Sequence, residues 1–330
     1  MRSVVAVTGA SGFIGQAVCN ELLDRGFIVR AMVRAIKPTQ QTVSVRLQYV
    51  AVGDLCAETD WTEALREVTC VVHCAGRAQV MNEMDGEESL ATYRAINVAS
   101  SKRLAEQAAS SGVRRLVFLS SIKVNGECTF PLSKGIPPNG RPEVFKASDC
   151  PAPMSSYGQS KWEAEQVLYE VSSQSQLEVV ILRPPLVYGH GVKANFATLL
   201  SAVKLGWPLP LGAVQNRRSL VALDNLVDLI VNCIKHPKAV NQTFLVSDGQ
   251  DVSTKEIVEF MALAAGVTPR FLPVPFWVLQ LGASLLGRRD ALQRLCGNLQ
   301  IDICKTSSLL DWVPPVSVQE GMRRCLTLKN

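Results

Sequence analysis

The 330-residue chain is 47% hydrophobic and 19% charged, the balance of a folded protein with a sizeable core rather than a disordered one. Its formal charge of +5 comes without a basic run or an aromatic-rich basic stripe, which argues against nucleic acid and suits a small polyanionic ligand. The ten cysteines are scattered, with no CxxC pair and no Cys/His ligand spacing, so neither a disulfide framework nor a metal site is expected. With no signal peptide in view, the chain reads as cytoplasmic with reduced thiols. Its length favours two domains.

A β-branched run, Val4 to Val7, enters the turn Thr8-Gly9-Ala10-Ser11-Gly12-Phe13-Ile14-Gly15, and apolar residues at helical spacing follow as far as Leu23. This order of buried strand, glycine-spaced turn and helix N-terminus is what a dinucleotide pyrophosphate requires. Gly9 can take a conformation closed to residues with a Cβ, Gly12 lets the main chain approach the phosphates, and Gly15 lets the helix pack close to the strand. Unpaired N–H groups around Ser11, Phe13 and Ile14, with the positive end of the helix dipole, would hold the anion.

Phe27 to Val33 reads as a second strand. Where an NAD site usually carries an acid for the adenosine ribose, this chain has Val33-Arg34. Arg34 either pairs with a ribose 2′-phosphate, favouring NADP(H), or is a solvated surface arginine, which leaves NAD(H) open. Leu47 to Val52 is a third strand, followed by Gly53-Asp54-Leu55. Asp54 could accept from the adenine amino group, or simply form a turn. Cys70 to Gly76 is a fourth strand closing on Cys74, Ala75 and Gly76, small residues over which a cofactor could lie. His73 within it reads as a core histidine. Ser89 to Ser111 has helical periodicity, with Asn97 placed to brace the site.

The fifth strand, Leu116 to Leu119, ends in Ser120-Ser121-Ile122-Lys123, and ligands of open parallel sheets sit at such carboxyl ends. Glu127 to Pro153 is rich in Pro, Gly and polar residues and reads as a surface loop over the substrate side. A helix then opens at Ser155 and runs to about Ser172. It places Tyr157 and Lys161 four residues apart on one face. An ammonium beside a phenol lowers its pKa towards working pH, which suits acid–base work on a sugar hydroxyl or ketone. The sixth strand, Val179 to Leu182, ends in Arg183-Pro184-Pro185. Beyond it the βα alternation weakens. A helix opens over Val192 to Phe196, Gly206 to Gly212 is a Pro/Gly loop, and Asp224 is placed to cap the next helix. Phe244 to Ser247 returns as a strand. Phe271 to Leu286 is too interrupted to span a bilayer and reads as a core or oligomer-contact helix, with an interfacial role as the alternative.

Taken together, TGASGFIG (Thr8–Gly15), GDL (Gly53–Leu55), HCAG (His73–Gly76), SSIKVNG (Ser120–Gly126), YGQSK (Tyr157–Lys161) and RPPLVYG (Arg183–Gly189) resemble the extended short-chain dehydrogenase/reductase family over essentially the whole chain. The resemblance implies an α/β fold. Its doubly wound parallel-sheet Rossmann domain would cover residues 1–183, with 220–250 returning to it. A smaller mixed α/β substrate domain would cover most of 184–330. It also implies a UDP-sugar substrate and a homodimer built through the helices Ser89–Ser111 and Ser155–Ser172. SSIKVNGE and RRSLVALDNLVDLI resemble the branch of bacterial UDP-N-acetyl-quinovosamine dehydrogenases, which reduce a UDP-4-keto-6-deoxy-N-acetylhexosamine at C4 for O-antigen and lipopolysaccharide synthesis. An NAD-dependent UDP-N-acetylhexosamine 4-epimerase is the alternative, because the same catalytic residues serve both.

By position, the resemblance makes Tyr157 the catalytic acid, Lys161 the residue binding the nicotinamide ribose, and Ser121 the partner of the reacting oxygen. Pro184 would border the nicotinamide, Arg218 would clamp the diphosphate, and Asn195 would lie near it. Lys123 is either a further substrate ligand or an outward-facing lysine. Family dehydratases carry an Asp-Glu pair where this chain has Ile122-Lys123, so removal of water across C5 and C6 lacks its carboxylates.

Overall fold

Short β-branched runs form the spine of the molecule, as the preference of such residues for a pleated, buried surface dictates. The computed structural model describes residues 3–40, 44–78, 86–129, 144–192, 195–287 and 289–326. Its strands are β1 (Val4–Thr8), β2 (Ile28–Val33), β3 (Leu47–Ala51), β4 (Cys70–His73), β5 (Arg115–Leu119), β6 (Glu178–Arg183), β7 (Leu186–Tyr188), β8 (Pro208–Leu209), β9 (Arg218–Ala222), β10 (Gln242–Leu245), β11 (Asp251–Val252) and β12 (Arg270–Phe271). One seven-stranded sheet has the order β10-β6-β5-β4-β1-β2-β3, with every pairing parallel. The strand order reverses between β1 and β4. In such sheets the crevice for a ligand opens at that switch point, outside the carboxyl ends of the strands.

The helices are α1 (Phe13–Asp24), α2 (Thr62–Leu65), α3 (Glu87–Tyr93), α4 (Ser100–Ser110), α5 (Ser156–Ser173), α6 (Asn195–Lys204), α7 (Leu223–Lys235), α8 (Thr254–Ala265), α9 (Phe276–Leu285), α10 (Arg289–Cys296), α11 (Cys304–Leu310) and α12 (Val318–Leu326). Because strand side chains alternate between faces, Val5 and Val7 join one core while Ala6 joins the other. Val18 and Leu22 of α1 and Leu226 and Ile230 of α7 pack in the first. Leu104 and Ala108 of α4 and Ala164 and Leu168 of α5 pack in the second. The sheet is thus covered on both faces, as an all-parallel sheet must be.

A third core lies between the three-stranded sheet β11-β9-β7 and the later helices. There Tyr188 and Leu220 meet Phe196, Val258, Met261, Cys296 and Met322. The pair β8–β12 is separate and parallel.

Two sequence expectations change here. The helix expected over Ser89–Ser111 is α3 and α4 joined by a π-helical turn, Arg94–Ala99. Such bulges re-aim side chains and recur at functional sites. Asp224 is not the N-cap of α7. That place belongs to Ala222, which has no side-chain cap bond, and Asp224 sits in the first turn, where it pairs with Arg324 at 2.6 Å. Most of the Glu127–Pro153 loop, residues 130–143, lies outside the described residues.

Candidate active site

The turn after β1 is built by close backbone approach. Gly9 has φ +66°, and a Cβ there would stand 3.0 Å from the backbone of Ala75. A Cβ on Gly15 would stand 2.2 Å from the Gly9 carbonyl oxygen, a contact no side chain survives. The Gly12 N–H donates to that same carbonyl at 2.8 Å. Gly12 occupies the N-cap of α1 with no side chain satisfying the helix start, so the first N–H groups of α1, around Phe13 and Ile14, remain for an anion. Ser11 and Gly12 are exposed at its mouth.

The turn after β4 is braced from beneath. The Thr8 hydroxyl accepts from the Ala75 N–H at 3.0 Å and meets His73 Nδ1 at 2.7 Å, while His73 Nε2 meets Ser101 Oγ at 2.9 Å. Burial holds the His73 pKa down at about 3, and the nearby Lys161 ammonium acts in the same direction. His73 is therefore a neutral structural imidazole. Asn97, aimed inward by the π turn, accepts from the Arg77 N–H at 2.8 Å and donates to Ser160 Oγ at 3.0 Å. Ser160 in turn donates to the Tyr157 carbonyl at 2.8 Å. This chain ties the floor after β4 to the helix bearing Tyr157 and Lys161.

On α5, whose first turn is capped by Ser155, the Tyr157 hydroxyl hydrogen-bonds the Ser121 side chain. Gly158 is needed beside it, since a Cβ would lie 2.8 Å from the Lys123 carbonyl oxygen. Burial pushes the Tyr157 pKa up to about 12. The Ser121 hydrogen bond opposes that rise and the Tyr93 phenol, 5.9 Å away edge-on, adds to it. This differs from the expectation that Lys161 lowers it. The Lys161 ammonium donates to the Leu119 carbonyl at 2.9 Å, over the Phe118 ring. Burial brings Lys161 itself down to about 8, opposed by Cys74 and Glu165. A Cβ on Gly76 would meet Lys161 Nζ at 3.6 Å, so the lysine reaches the cleft between the β4 and β5 ends.

Beneath this face lies a polar network that sequence reasoning missed. Glu165, one helical turn after Lys161, accepts from Arg183 Nε at 2.9 Å, from Arg183 Nη2 at 2.5 Å and from Ser120 Oγ at 2.5 Å. Arg183 Nη1 donates to Asn125 Oδ1 at 2.9 Å, and Ile122 donates to the Pro184 carbonyl at 2.9 Å. These bonds lock the ends of β5 and β6 and the start of the 122–124 turn, and thereby fix Ser121. The signal was available: an acid four residues beyond Lys161 shares its buried face.

The remaining sequence candidates divide. The Lys123 ammonium pairs with Glu127, whose other oxygen accepts from Ser155 Oγ at 2.8 Å, which ties the 122–127 turn to the start of α5. Arg34 pairs with Asp54 at 2.8 Å, both largely exposed, so each satisfies the other at the β2 end. Leu55 packs on the second core. Arg218 donates to the Gly297 carbonyl at 2.8 Å and has no carboxylate partner among the described residues. Burial lowers its pKa. Arg294, in the turn before Gly297, has a buried Nε with no hydrogen-bond partner and was not singled out from sequence. The Asn195 side chain lies outside the described residues.

Residues 5–247 match the model of the NAD dependent epimerase/dehydratase family, and the chain belongs to that family. A curated relative, UDP-glucose 4-epimerase of Vibrio cholerae, is 46% identical over 98% of this chain and 94% of its own. Among solved structures, the fold is shared with UDP-glucuronic acid 4-epimerase from Bacillus cereus in complex with NAD. That match has a TM-score of 0.74 and 21% identity, and covers 97% of this chain and 94% of the other. The fold is shared too with UDP-glucose 4-epimerase from Thermotoga maritima with UDP-glucose, with a TM-score of 0.72 and 20% identity over 98% of this chain and 97% of the other. Among the described residues no helix is long and apolar enough to cross a membrane.

Proposed function

We propose that this protein is a 4-epimerase of a UDP-linked hexose that works with NAD. The observation that carries the reading is the Ser121–Tyr157 hydrogen bond at the carboxyl edge of β5, with Lys161 reaching the same cleft beside Gly76. The Vibrio cholerae relative supports an epimerase ahead of the C4 ketone reductase that the sequence placed first. A cofactor fits the turn, because Gly9 and Gly15 leave a cradle that a Cβ would fill and the start of α1 is uncapped.

Ser11, Gly12 and the first N–H groups of α1 would hold the pyrophosphate, Cys74, Ala75, Gly76 and Pro184 the nicotinamide end, and Lys161 its ribose. When bound, NAD supplies a reversible hydride acceptor. Tyr157, once deprotonated to the phenolate, would take the proton from the sugar C4 hydroxyl, becoming a neutral phenol, and return it to the same oxygen after the ketone has turned its other face. Ser121 holds that oxygen through its hydroxyl. Arg218 and Arg294 would hold the diphosphate through charge-assisted hydrogen bonds. In this reading the residues from 184 onward mainly hold the UDP-sugar, and two copies associate through α3–α4 and α5. The Arg34–Asp54 pair weakens the case for NADP, because the guanidinium already has an anionic partner.

The test is incubation with UDP-glucose or UDP-N-acetylglucosamine and no added coenzyme. Formation of the 4-epimer, with NAD released from the denatured protein, is the expected result. No epimer, together with loss of reduced nicotinamide absorbance on a UDP-4-keto-6-deoxy-N-acetylhexosamine, would replace this reading with the reductase and its place in O-antigen synthesis.

A further inference from the structure

The segment Phe271–Leu286 is not the covered core helix that its composition suggests. No residue of α9 is buried. Phe276 and Leu279 lean on the third core, while Trp277, Leu281 and Leu285 recur every four residues on another side and are 66%, 55% and 80% exposed. Leu286 and Leu272 extend this apolar surface. The β8–β12 pairing sets Pro208 against Arg270, which brings the turn carrying exposed Leu205 and Trp207 beside the segment that leads into α9. A contiguous exposed surface of large apolar side chains marks a site of interaction.

Charge indicates what covers it. From Phe260 to Gly287 the chain contains no aspartate or glutamate and one charge, Arg270; Glu259 precedes this stretch and Arg288-Arg289-Asp290 follows it. The stretch from Lys204 to Gly212 likewise holds one lysine and no acid. Apolar residues with tryptophan, on a stretch whose sequence is bordered by more cations than anions, fit the boundary of an anionic bilayer: indole sits at headgroup level, leucines enter the acyl edge and cations meet lipid phosphates. We propose that the outer side of α9, with the Leu205–Trp207 turn beside it, docks the protein on an anionic lipid surface. The ten-residue helix is too short to span a bilayer, so it lies in the interface. The inference is independent of the reaction proposed above.

The experiment is co-sedimentation of the full chain with vesicles of phosphatidylcholine alone and of phosphatidylcholine with phosphatidylglycerol. Binding is expected to the mixed vesicles, to weaken with added salt and to be slight on phosphatidylcholine alone. The variant carrying Trp277→Glu and Leu281→Glu should lose roughly tenfold or more of that binding while keeping its far-UV circular dichroism and its activity on soluble UDP-sugar. Absence of wild-type binding, or equal binding by the variant, would overturn the proposal. So would a concentration-dependent dimer of the wild type that this variant abolishes, since the side of α9 would then face a second copy of the chain.

Discussion

Glu165 and Arg183 form a buried bidentate ion pair beneath the face of α5 that carries Tyr157 and Lys161, and the same carboxylate holds Ser120, the neighbour of Ser121. Removing one partner of a buried pair leaves the other charge uncompensated, at a cost of about 3–5 kcal/mol. Glu165→Gln keeps the shape and removes the charge, so its unfolding midpoint in urea should fall sharply. At temperatures where it is still folded, turnover should fall further than substrate affinity, because Ser121 loses its fixed position. Unchanged stability would show that the pair contributes nothing net.

His73 gives a pH dependence with a defined sign. Its native pKa is held at about 3 against an ordinary 6.5. Below pH 6.5 the unfolded chain therefore binds a proton that the native imidazole refuses. This contribution is fully present above pH 6.5 and is lost as pH falls towards 3, with a slope of up to about 1.4 kcal/mol per pH unit. His73→Gln should be less stable than wild type at pH 7, through weakened bonds to Thr8 and Ser101, yet decline less steeply between pH 6.5 and 4. Parallel declines in urea unfolding series would place the acid sensitivity elsewhere.

Gly15→Ala would push a Cβ to within 2.2 Å of the Gly9 carbonyl oxygen. Both atoms are backbone-fixed, so the phosphate turn and α1 must separate. A loss of about 1–3 kcal/mol of stability and of co-purified nucleotide is expected, read by thermal melting and by ultraviolet absorbance of the denatured supernatant. Gly282→Ala, whose Cβ meets nothing within 4 Å, is the control. It lies in a helix interior and should stabilise by about 0.5–1 kcal/mol.

What was legible in the sequence was what local signals carry. A β-branched strand entering a glycine-spaced turn, and a tyrosine and lysine one helical turn apart, announce themselves within a dozen residues. The seven-stranded sheet and the joining of Ser121 to Tyr157 follow from those signals. Long-range pairing was not legible. Asp54 reaches Arg34 only because β3 lies beside β2. Asp224 is claimed by Arg324, a hundred positions away. Lys123–Glu127 spans only four residues and could have been read as a pair. Phe271 to Leu286 shows the limit of apolar runs: hydrophobicity is plain in the letters, but whether anything covers it is decided by the fold.

Tyr157 and Arg218 should separate chemistry from binding. Tyr157→Phe removes the hydroxyl bonded to Ser121 and leaves the ring packed against Tyr93. Turnover should fall by about 10²- to 10⁴-fold, the range of general acid–base catalysis, with UDP-sugar affinity retained. Arg218, at the start of β9, is half-buried and donates to the Gly297 carbonyl. Arg218→Ala should raise KM roughly 10- to 100-fold, the value of a charge-assisted hydrogen bond, and change kcat far less, because a grip on the diphosphate is the same in ground and transition states. Steady-state kinetics of the two variants on one UDP-sugar checks both. A fall in kcat for Arg218→Ala as large as that for Tyr157→Phe would mean that the arginine also positions the reacting carbon.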